Sequence, residues 1–289
     1  MKVLAALFMA VILAGVCDAA ELSIGLIPEQ NVFKQVKRYA PVGDYILKKT
    51  GNKINFVILP RYGNILESFS EKKLDGAFWG SFTGALAITQ LGVEPIARPV
   101  NPDGNSTYKG YIFVRKDSGI GNIAGMKGKS IAFVEKATTA GYMFPMAWFK
   151  KHGITDVDRY FREHYFAGSH DAAITAVLDR QVDVGCAKNT IFDMLSQSDP
   201  RIGSELMVIA ESVPVPSNGL GLANGIPADV KESIRKALLG MADDAEGRDI
   251  LKTFRALRFI PTSREDYAPV FDMARDAGID IKQYKYLNK

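Results

Sequence analysis

Short apolar runs and helical patterns alternate along the first part of the chain. The runs, which predict strands, cover residues 22–27, 54–59 and 74–79. The helical patterns cover residues 36–50, 62–72 and 83–91. Strands that alternate with helices favour parallel βαβ units. The first part of the chain is therefore predicted to form an α/β sheet.

Two segments rich in Pro, Gly, Asn and Ser interrupt the chain at residues 99–106 and 213–219. Between them a second alternating series predicts strands at 108–115, 130–134, 162–166, 182–187 and 208–211. Its predicted helices are 139–151, 170–180 and 190–197. The chain after the second segment is predicted to be helical, at 228–241, 245–254 and 266–277.

This order predicts that a middle α/β unit is inserted into the first one. Lobe one would comprise residues 21–106 plus 217–289, and lobe two residues 107–216. Segments of this composition are typical of linkers. Two lobes joined by two hinge crossings can close on a ligand held in a central cleft.

Residues 1–20 have the pattern of a secretory signal peptide. Lys2 supplies a positive charge, residues 3–16 are almost wholly apolar, and Cys17 and Ala19 are small residues at −3 and −1 of a cut after Ala19. The apolar run is too short for a spanning helix. Lipidation at Cys17 is not expected, because Val16 stands where a lipoprotein signal needs a small residue. We expect an exported, periplasmic protein.

Cysteine and charge content narrow the class of partner. Cleavage would leave Cys186 alone, so the mature chain cannot close an internal disulfide and must rely on its own core. The 36 basic and 32 acidic residues give a net charge of +4, without a run of five basic residues. This distribution argues against binding to nucleic acid or to an acidic membrane surface.

A turn with two hydroxyls, Thr138-Thr139-Ala140-Gly141, lies between the strand at 130–134 and the following helix. The first N–H groups of a helix have no internal partner, and the helix dipole adds partial positive charge there. With two threonine hydroxyls, this turn predicts an anion site. The alternative is an ordinary N-cap, which Thr often provides.

Residues that follow the predicted strands form the candidate site, because ligands of open parallel sheets bind at the carboxyl ends of strands. The set is rich in neutral hydrogen-bond donors, which suit an oxyanion with many acceptor oxygens. Some members have other interpretations: Ser81 or Thr83 as a helix cap, and Trp79 as a core residue. Ser169 or Asp171 could cap the next helix with His170 a bystander, and Tyr62 could be a surface aromatic of a turn. The candidate ligand-binding residues are Tyr62, Trp79, Ser81, Thr83, Thr138, Thr139, His170, Asn189, Thr190 and Asn218.

Four motifs carry a family resemblance: Arg61-Tyr-Gly-Asn64, Leu74-Asp-Gly-Ala-Phe-Trp-Gly-Ser81, Phe133-Val-Glu-Lys-Ala-Thr-Thr-Ala-Gly-Tyr142, and Gly168-Ser-His-Asp-Ala-Ala-Ile-Thr-Ala-Val177 with Val182-Asp-Val-Gly185. The mature chain resembles the phosphate/phosphite/phosphonate-binding proteins of bacterial ABC importers, within the type 2 periplasmic binding proteins. The resemblance implies two α/β lobes that close on the ligand, an ABC permease as partner, and no cofactor. It also implies that Thr138, Thr139, His170, Tyr62, and Ser81 or Thr83 hold the phosphonate oxygens.

Departures from the family pattern bear on the ligand. The hydroxyl turn is usually Ser-Thr-Ser-Gly, so one donor is absent here, and Trp79 replaces a Tyr. Members that bind an aminoalkyl phosphonate surround its ammonium with two carboxylates, where this chain has Thr190 and Asn218. A buried ammonium without these partners is unfavourable. We expect phosphate, phosphite or a small alkyl phosphonate as the ligand, and weak binding of an aminophosphonate.

The sequence does not favour an enzyme. It contains no nucleophile elbow, no phosphate-binding loop of the Walker type and no zincin motif. The three histidines are scattered, so no metal site is expected, and Cys186 ends an apolar strand as a buried thiol would. We expect a monomer. The alternative to transport is a ligand-sensing subunit that presents the same ligand to a membrane sensor kinase.

Overall fold

The computed structural model of the chain describes residues 19–71 and 73–285. The signal peptide predicted at residues 1–20 therefore lies outside the described residues except for its last two positions, and so does Cys17. Within the described ranges, no helix is both long enough and apolar enough to cross a membrane.

Thirteen strands and eleven α-helices are present in the described residues. The strands are β1 (Glu21–Leu26), β2 (Lys53–Ile58), β3 (Gly76–Trp79), β4 (Glu94–Val100), β5 (Thr107–Tyr108), β6 (Gly110–Arg115), β7 (Ser130–Phe133), β8 (Glu163–Phe166), β9 (Val184–Lys188), β10 (Leu206–Glu211), β11 (Val215–Pro216), β12 (Gly219–Leu222) and β13 (Arg258–Pro261). The helices are α1 (Val32–Thr50), α2 (Asn64–Ser70), α3 (Ser81–Leu86), α4 (Phe144–Lys151), α5 (Val157–Tyr160), α6 (His170–Leu178), α7 (Asn189–Ser198), α8 (Arg201–Glu205), α9 (Ala228–Leu239), α10 (Ala245–Phe254) and α11 (Ala268–Ala277). One π-helical segment, Ala87–Leu91, extends α3, and another, Thr139–Met143, precedes α4.

The first sheet contains six strands in the order β13–β4–β12–β3–β1–β2. β1 pairs in parallel with β2 and β3, which confirms the βαβ units predicted from the alternating pattern. β12 lies antiparallel between β3 and β4, and β13 pairs antiparallel with β4 at the edge.

The prediction that the chain is helical after residue 219 is therefore wrong for β12 and β13. β12 has the sequence Gly-Leu-Gly-Leu, and glycine is depleted in strands, so no local signal marks it. β4 was also not predicted, and it contains Pro95 and Pro99. These strands exist because they find partners in the sheet, which composition does not reveal.

The second sheet contains five strands in the order β10–β6–β9–β7–β8. β7 is parallel to β8 and β9, whereas β6 runs antiparallel to β9 and β10. The two chain crossings pair with each other as the short ribbon of β5 and β11, with Tyr108 opposite Val215. The strands of the first sheet come from residues 21–100 and 219–261, and those of the second from 110–211. The lobe boundaries themselves remain a prediction.

α1 shows how local sequence defines an element of this fold. The side chain of Asn31 accepts a hydrogen bond from the Phe33 backbone N–H and caps the first turn. Gly51 follows the last helical residue in the left-handed region with φ 77°, which is typical of a C′ glycine. Tyr39 of α1 packs edge-on against Phe78 of the first sheet, with ring centroids 4.9 Å apart. These contacts anchor α1 on the sheet and position the segment before it.

The C-terminal segment joins the two parts of the molecule. α11 packs against α4, and beyond it the Tyr284 hydroxyl donates to the Lys136 carbonyl at 2.9 Å. The ring of Tyr284 also packs against Phe82 at the start of α3, with centroids 5.1 Å apart. The segment therefore contacts the chain next to both hydroxyl-rich turns of the candidate site.

Candidate ligand-binding site

The two hydroxyls of the turn after β7 do not act as an ordinary N-cap. Thr138 has the extended backbone of an N-cap residue, but its side chain makes no capping bond and instead donates to the Glu135 carbonyl at 2.6 Å. The hydroxyl oxygen of Thr139 accepts from the backbone N–H of Phe82 at 2.9 Å. Both threonines are buried. The Thr139 side chain therefore contacts the start of α3, whereas the Thr138 side chain bonds within its own turn.

Gly141 permits the close packing of this turn. A Cβ at this position would lie 2.4 Å from the Cβ of Val134 and 2.8 Å from the Thr138 hydroxyl. Real Cβ atoms essentially never make contacts under 3.0 Å, so a side chain here would push the turn away from the end of β7. The glycine of the sequence motif is therefore explained by packing and not by an unusual φ.

The start of α3 faces the Thr139 turn from the first sheet. The Ser81 hydroxyl donates to the Pro216 carbonyl at 2.6 Å and lies 2.9 Å from the Tyr108 hydroxyl. Thr83 points back into its own helix, where its hydroxyl donates to the Gly80 carbonyl at 3.2 Å. Ser81 therefore contacts the chain crossings, whereas the Thr83 hydroxyl bonds within its own helix and does not cap it.

Two buried donors at the site have no hydrogen-bond partner among the described residues. They are the Tyr62 hydroxyl and the side-chain N–H₂ group of Asn218. Tyr62 follows β2, and its ring lies edge-on to His170 with centroids 6.1 Å apart. Burial raises the pKa of Tyr62 well above 10, so its hydroxyl keeps its proton. Because buried polar groups are nearly always paired, both donors indicate a place for an acceptor.

His170 is a neutral donor in this structure. Ser169 caps α6 by accepting from the Ala172 N–H, so His170 is the first helical residue. Its Nδ1 accepts a hydrogen bond from the Lys188 backbone N–H at 3.2 Å, which leaves the ring proton on Nε2. Burial lowers the pKa of His170 to about 4. The Nε2–H group is therefore available to an acceptor at neutral pH.

An ion pair that the sequence analysis did not select crosses the site. The Lys188 ammonium lies 2.8 Å from Glu29 Oε1, 3.1 Å from Asn218 Oδ1 and 4.3 Å from the ring centroid of Tyr108. Burial alone would raise the pKa of Glu29, but the charges of Lys188 and Arg38 hold it below its usual value. Burial lowers the pKa of Lys188, and the charge of Glu29 opposes that shift. Glu29 follows β1 and Lys188 ends β9, so position at a strand end is the sequence signal that marks both residues.

One small cavity brings these groups together. It encloses about 10 Å³, and a single water molecule needs roughly 10–15 Å³. A tetrahedral anion therefore enters only when the walls move apart. The lining residues are Ile27, Glu29, Tyr62, Gly80, Ser81, Phe82, Tyr108, Ala137, Thr138, Thr139, His170, Lys188 and Asn218.

A second cavity of about 190 Å³ adjoins the first. Glu29, Lys188 and Asn218 line both. Thr190 lines the larger cavity and not the smaller one. The Glu29–Lys188 ion pair thus lies at the border between the small cavity with the neutral donors and the larger cavity.

Six of the ten predicted site residues line the small cavity: Tyr62, Ser81, Thr138, Thr139, His170 and Asn218. Trp79 does not, because its indole is buried in the core and donates to the Gly221 carbonyl at 3.1 Å. Asn189 is also elsewhere, since its side-chain oxygen accepts from the Lys109 backbone N–H at 2.8 Å. The core interpretation of Trp79 is the one the structure shows, whereas Thr83 is buried within α3 and neither caps that helix nor lines the small cavity.

The site carries donors and no catalytic constellation. No group of three or more His, Cys, Asp or Glu side chains among the described residues could hold a metal ion. Cys186 is buried, and burial raises the pKa of its thiol well above 9, so it is an inert thiol. The arrangement can bind and orient an anion.

The chain is similar to proteins of one family along most of its length. The family described as ABC transporter, phosphonate, periplasmic substrate-binding protein matches residues 24–267. The phosphonates-binding periplasmic protein of Escherichia coli (strain K12) is 26% identical over 274 residues, which cover 93% of this chain and 80% of that protein. The phosphate-import protein PhnD of Mycolicibacterium smegmatis is 28% identical over 218 residues, or 69% of this chain and 67% of that protein.

A solved structure shares the fold. PhnD1 from Prochlorococcus marinus (MIT 9301), in complex with methylphosphonate, matches with a TM-score of 0.79 at 19% identity, over 89% of this chain and 98% of that chain. The match confirms the predicted two-lobed α/β architecture of a periplasmic binding protein.

Proposed function

Because this chain belongs to the family of periplasmic substrate-binding proteins of phosphonate ABC transporters, we propose that it captures a small phosphorus oxyanion and delivers it to an ABC permease. The ligand is phosphate, phosphite or an alkyl phosphonate, bound in the small cavity between the two sheets. The family is one of binding proteins, which confirms the expectation that the chain is not an enzyme. Relatives named for phosphonates and for phosphate import support this ligand class.

The observation that carries the proposal is the pair of unpartnered buried donors. The Tyr62 hydroxyl and the Asn218 N–H₂ group line the same cavity as Thr138, Thr139 and His170. A buried donor without a partner costs about 1–3 kcal/mol. A ligand with several acceptor oxygens would remove that cost at both positions. A phosphorus oxyanion has three or four such oxygens on one atom.

The donors come from both sides of the cavity. Thr139 and the Nε2–H of His170 approach from the second sheet, and Tyr62 approaches from the first. The hydroxyls of Thr138 and Ser81 line the same cavity but donate here to the Glu135 and Pro216 carbonyls, so they would have to exchange those bonds for bonds to the ligand. A hydrogen bond to a charged acceptor contributes about 1.5–3 kcal/mol. Three or four such bonds support micromolar or tighter binding after the cost of closure. The ammonium of Lys188 adds a favourable positive charge at the border.

Capture and closure follow from the two-sheet arrangement. The lobes are residues 21–106 plus 217–289 and residues 107–216, and the β5–β11 ribbon forms the two hinge crossings. The open form exposes the Thr138/Thr139 turn, and closure adds Tyr62 and Ser81. The loaded monomer then docks on the permease. A signal peptide at residues 1–20 directs export to the periplasm.

The experiment is isothermal titration calorimetry on the mature chain from Glu21. The panel contains phosphate, phosphite, methylphosphonate, 2-aminoethylphosphonate and sulfate. We expect tight binding of a phosphorus oxyanion whose substituent is uncharged, and weaker binding of sulfate and of the aminophosphonate. Absence of heat with every phosphorus compound would overturn the proposed ligand class. Stimulation of permease ATPase activity by the loaded chain, and not by the free chain, tests delivery.

A further inference from the structure

Lys188 occupies a site that has the chemistry of an ammonium receptor. Its Nζ is held by a carboxylate oxygen of Glu29 at 2.8 Å, an amide oxygen of Asn218 at 3.1 Å and the ring of Tyr108 at 4.3 Å. Carboxylate, amide oxygen and aromatic face are the partners that proteins use to bind alkylammonium groups. We call Glu29, Asn218 and Tyr108 the ammonium cage.

The cage borders the oxyanion cavity directly. Its three residues and Lys188 line the same small cavity as Thr138, Thr139 and His170. Lys188 reaches the cage from the last position of β9 in the second sheet, whereas Glu29 and Asn218 follow or precede strands of the first. The substituent of a ligand whose phosphorus group is held by the donors would meet this cage next.

We propose that Lys188 fills this cage from within the protein and thereby selects phosphorus oxyanions whose substituent carries no positive charge. This inference rests on the proposed function and names the residue that sets its specificity. A ligand ammonium can enter the cage only by displacing that of Lys188, which would leave a buried lysine without its carboxylate. An uncharged substituent leaves the ion pair intact.

The charges around the cage agree with this role. Arg38 lies 4.0 Å from the second oxygen of Glu29 and Lys188 takes the first, so the carboxylate faces two cations. His170, which accepts from the Lys188 backbone N–H, is neutral. A second ammonium in this space would meet repulsion from Lys188 and Arg38. Exclusion of a wrong ligand by a built-in like charge is an established route to specificity.

The test removes the internal ammonium and offers external ones. In Lys188→Ala, methylammonium is expected to raise the melting temperature in a saturable manner, and 2-aminoethylphosphonate is expected to bind about tenfold or more tightly than it binds the unaltered chain. Methylphosphonate binding is expected to stay equal or weaken. Lys188→Arg keeps the cation, so methylphosphonate should still bind more tightly than 2-aminoethylphosphonate, whatever the larger side chain does to the two affinities.

Two further variants identify the cage. The Glu29→Gln/Lys188→Ala double variant removes the carboxylate. In it, the stabilisation by methylammonium and the tighter binding of 2-aminoethylphosphonate should both disappear. Lys231→Ala is the matched control, because Lys231 is also a buried lysine, paired with Glu94 at 2.7 Å, but lies outside both cavities. It should lose stability without any change in ligand preference.

The outcomes separate this inference from the proposed function. If the unaltered chain binds no phosphorus oxyanion, the proposed function fails, while the methylammonium response of Lys188→Ala still reports on the cage. If methylphosphonate binds but Lys188→Ala gains neither methylammonium stabilisation nor aminophosphonate affinity, the cage is overturned. A gain of only one of the two overturns the specificity role.

Should Lys188→Ala not fold, Lys188→Gln can donate to Glu29 in its place. The preference for methylphosphonate over 2-aminoethylphosphonate must then narrow in Lys188→Gln, and an unchanged preference overturns the inference.

Discussion

The hydroxyl oxygen of Thr139 accepts a hydrogen bond from the backbone N–H of Phe82 at 2.9 Å. The two residues are the first of one helical segment and the second of another, so the bond joins two helix starts from different sheets. Each start carries N–H groups without an internal partner and partial positive charge. The structure thus sets two electropositive helix ends against each other at the cavity.

Thr139→Ala is expected to weaken methylphosphonate binding about tenfold or more, because a hydrogen bond to a charged acceptor contributes about 1.5–3 kcal/mol. Calorimetry measures the affinity, and circular dichroism should show a retained fold. Thr253→Ala is the control, since Thr253 is exposed on α10. Unchanged affinity in Thr139→Ala would argue strongly against this site.

Tyr62→Phe should affect stability and binding in opposite directions. Its hydroxyl is buried without a partner, so its removal is expected to leave the free energy of unfolding unchanged or to raise it by up to about 1–3 kcal/mol. Binding should weaken, because the ligand loses that donor. Tyr160→Phe is the matched control: its hydroxyl donates to the Ile123 carbonyl at 2.6 Å, so stability should fall and binding should not change. Chemical denaturation and calorimetry measure the two quantities.

The neutral state of His170 predicts a dependence of stability on pH. Burial lowers its pKa from 6.5 to about 4, so between these values the unfolded chain binds a proton that the folded chain does not. The free energy of unfolding should therefore decrease as the pH falls from about 6.5 to about 4, by about 3 kcal/mol in total. Urea denaturation measures the free energy of unfolding at each pH. In His170→Asn this free energy should depend less steeply on pH than in the unaltered chain. His152→Asn, at an exposed position, should keep the full slope. If the free energy of unfolding had the same pH dependence in the unaltered chain and in His170→Asn, the conclusion that the His170 ring is neutral would be wrong.

Gly141→Ala should disturb both the fold and the site. The added Cβ would meet Val134 at 2.4 Å and the Thr138 hydroxyl at 2.8 Å, so the turn must shift. We expect a loss of about 1–3 kcal/mol in stability and weaker binding. Gly203→Ala is the control, because nothing lies within 4 Å of its added Cβ on α8, where Ala favours the helix by up to about 1 kcal/mol. Equal stability of Gly141→Ala and the unaltered chain would refute the packing argument.

The sequence located most elements, because their signals are local. α1 ends at Gly51, α9 and α10 begin at the predicted residues, and β7 differs from its prediction by one residue. Periodicity and caps act over a few neighbouring residues, which is the range that a single sequence reveals. β12 was missed because its two glycines carry no such signal and its pairing partners are far along the chain.

The strand-end argument found six of the cavity residues and misjudged the direction of others. Trp79 is the last residue of β3, and neighbouring side chains of a strand point to opposite faces. The sheet that forms decides which face the last side chain of a strand takes. The local sequence therefore did not determine that the Trp79 side chain lies in the core. Lys188 ends β9, but lysine is rarely buried, so its place in the site depends on the tertiary structure.

By itself, the sequence determined the α/β class, the two interrupting segments and the hydroxyl turn at Thr138 and Thr139, because each depends on neighbours in the chain. Only the tertiary structure decided what surrounds that turn. The Glu29–Lys188 pair joins positions 159 residues apart, and the Tyr62 hydroxyl is unpartnered only because the surrounding fold buries it. On the surface these charges and hydroxyls would be solvated by water, whereas in the interior each costs free energy unless it is paired. That cost arises only when distant strands assemble, and it is what defines the site.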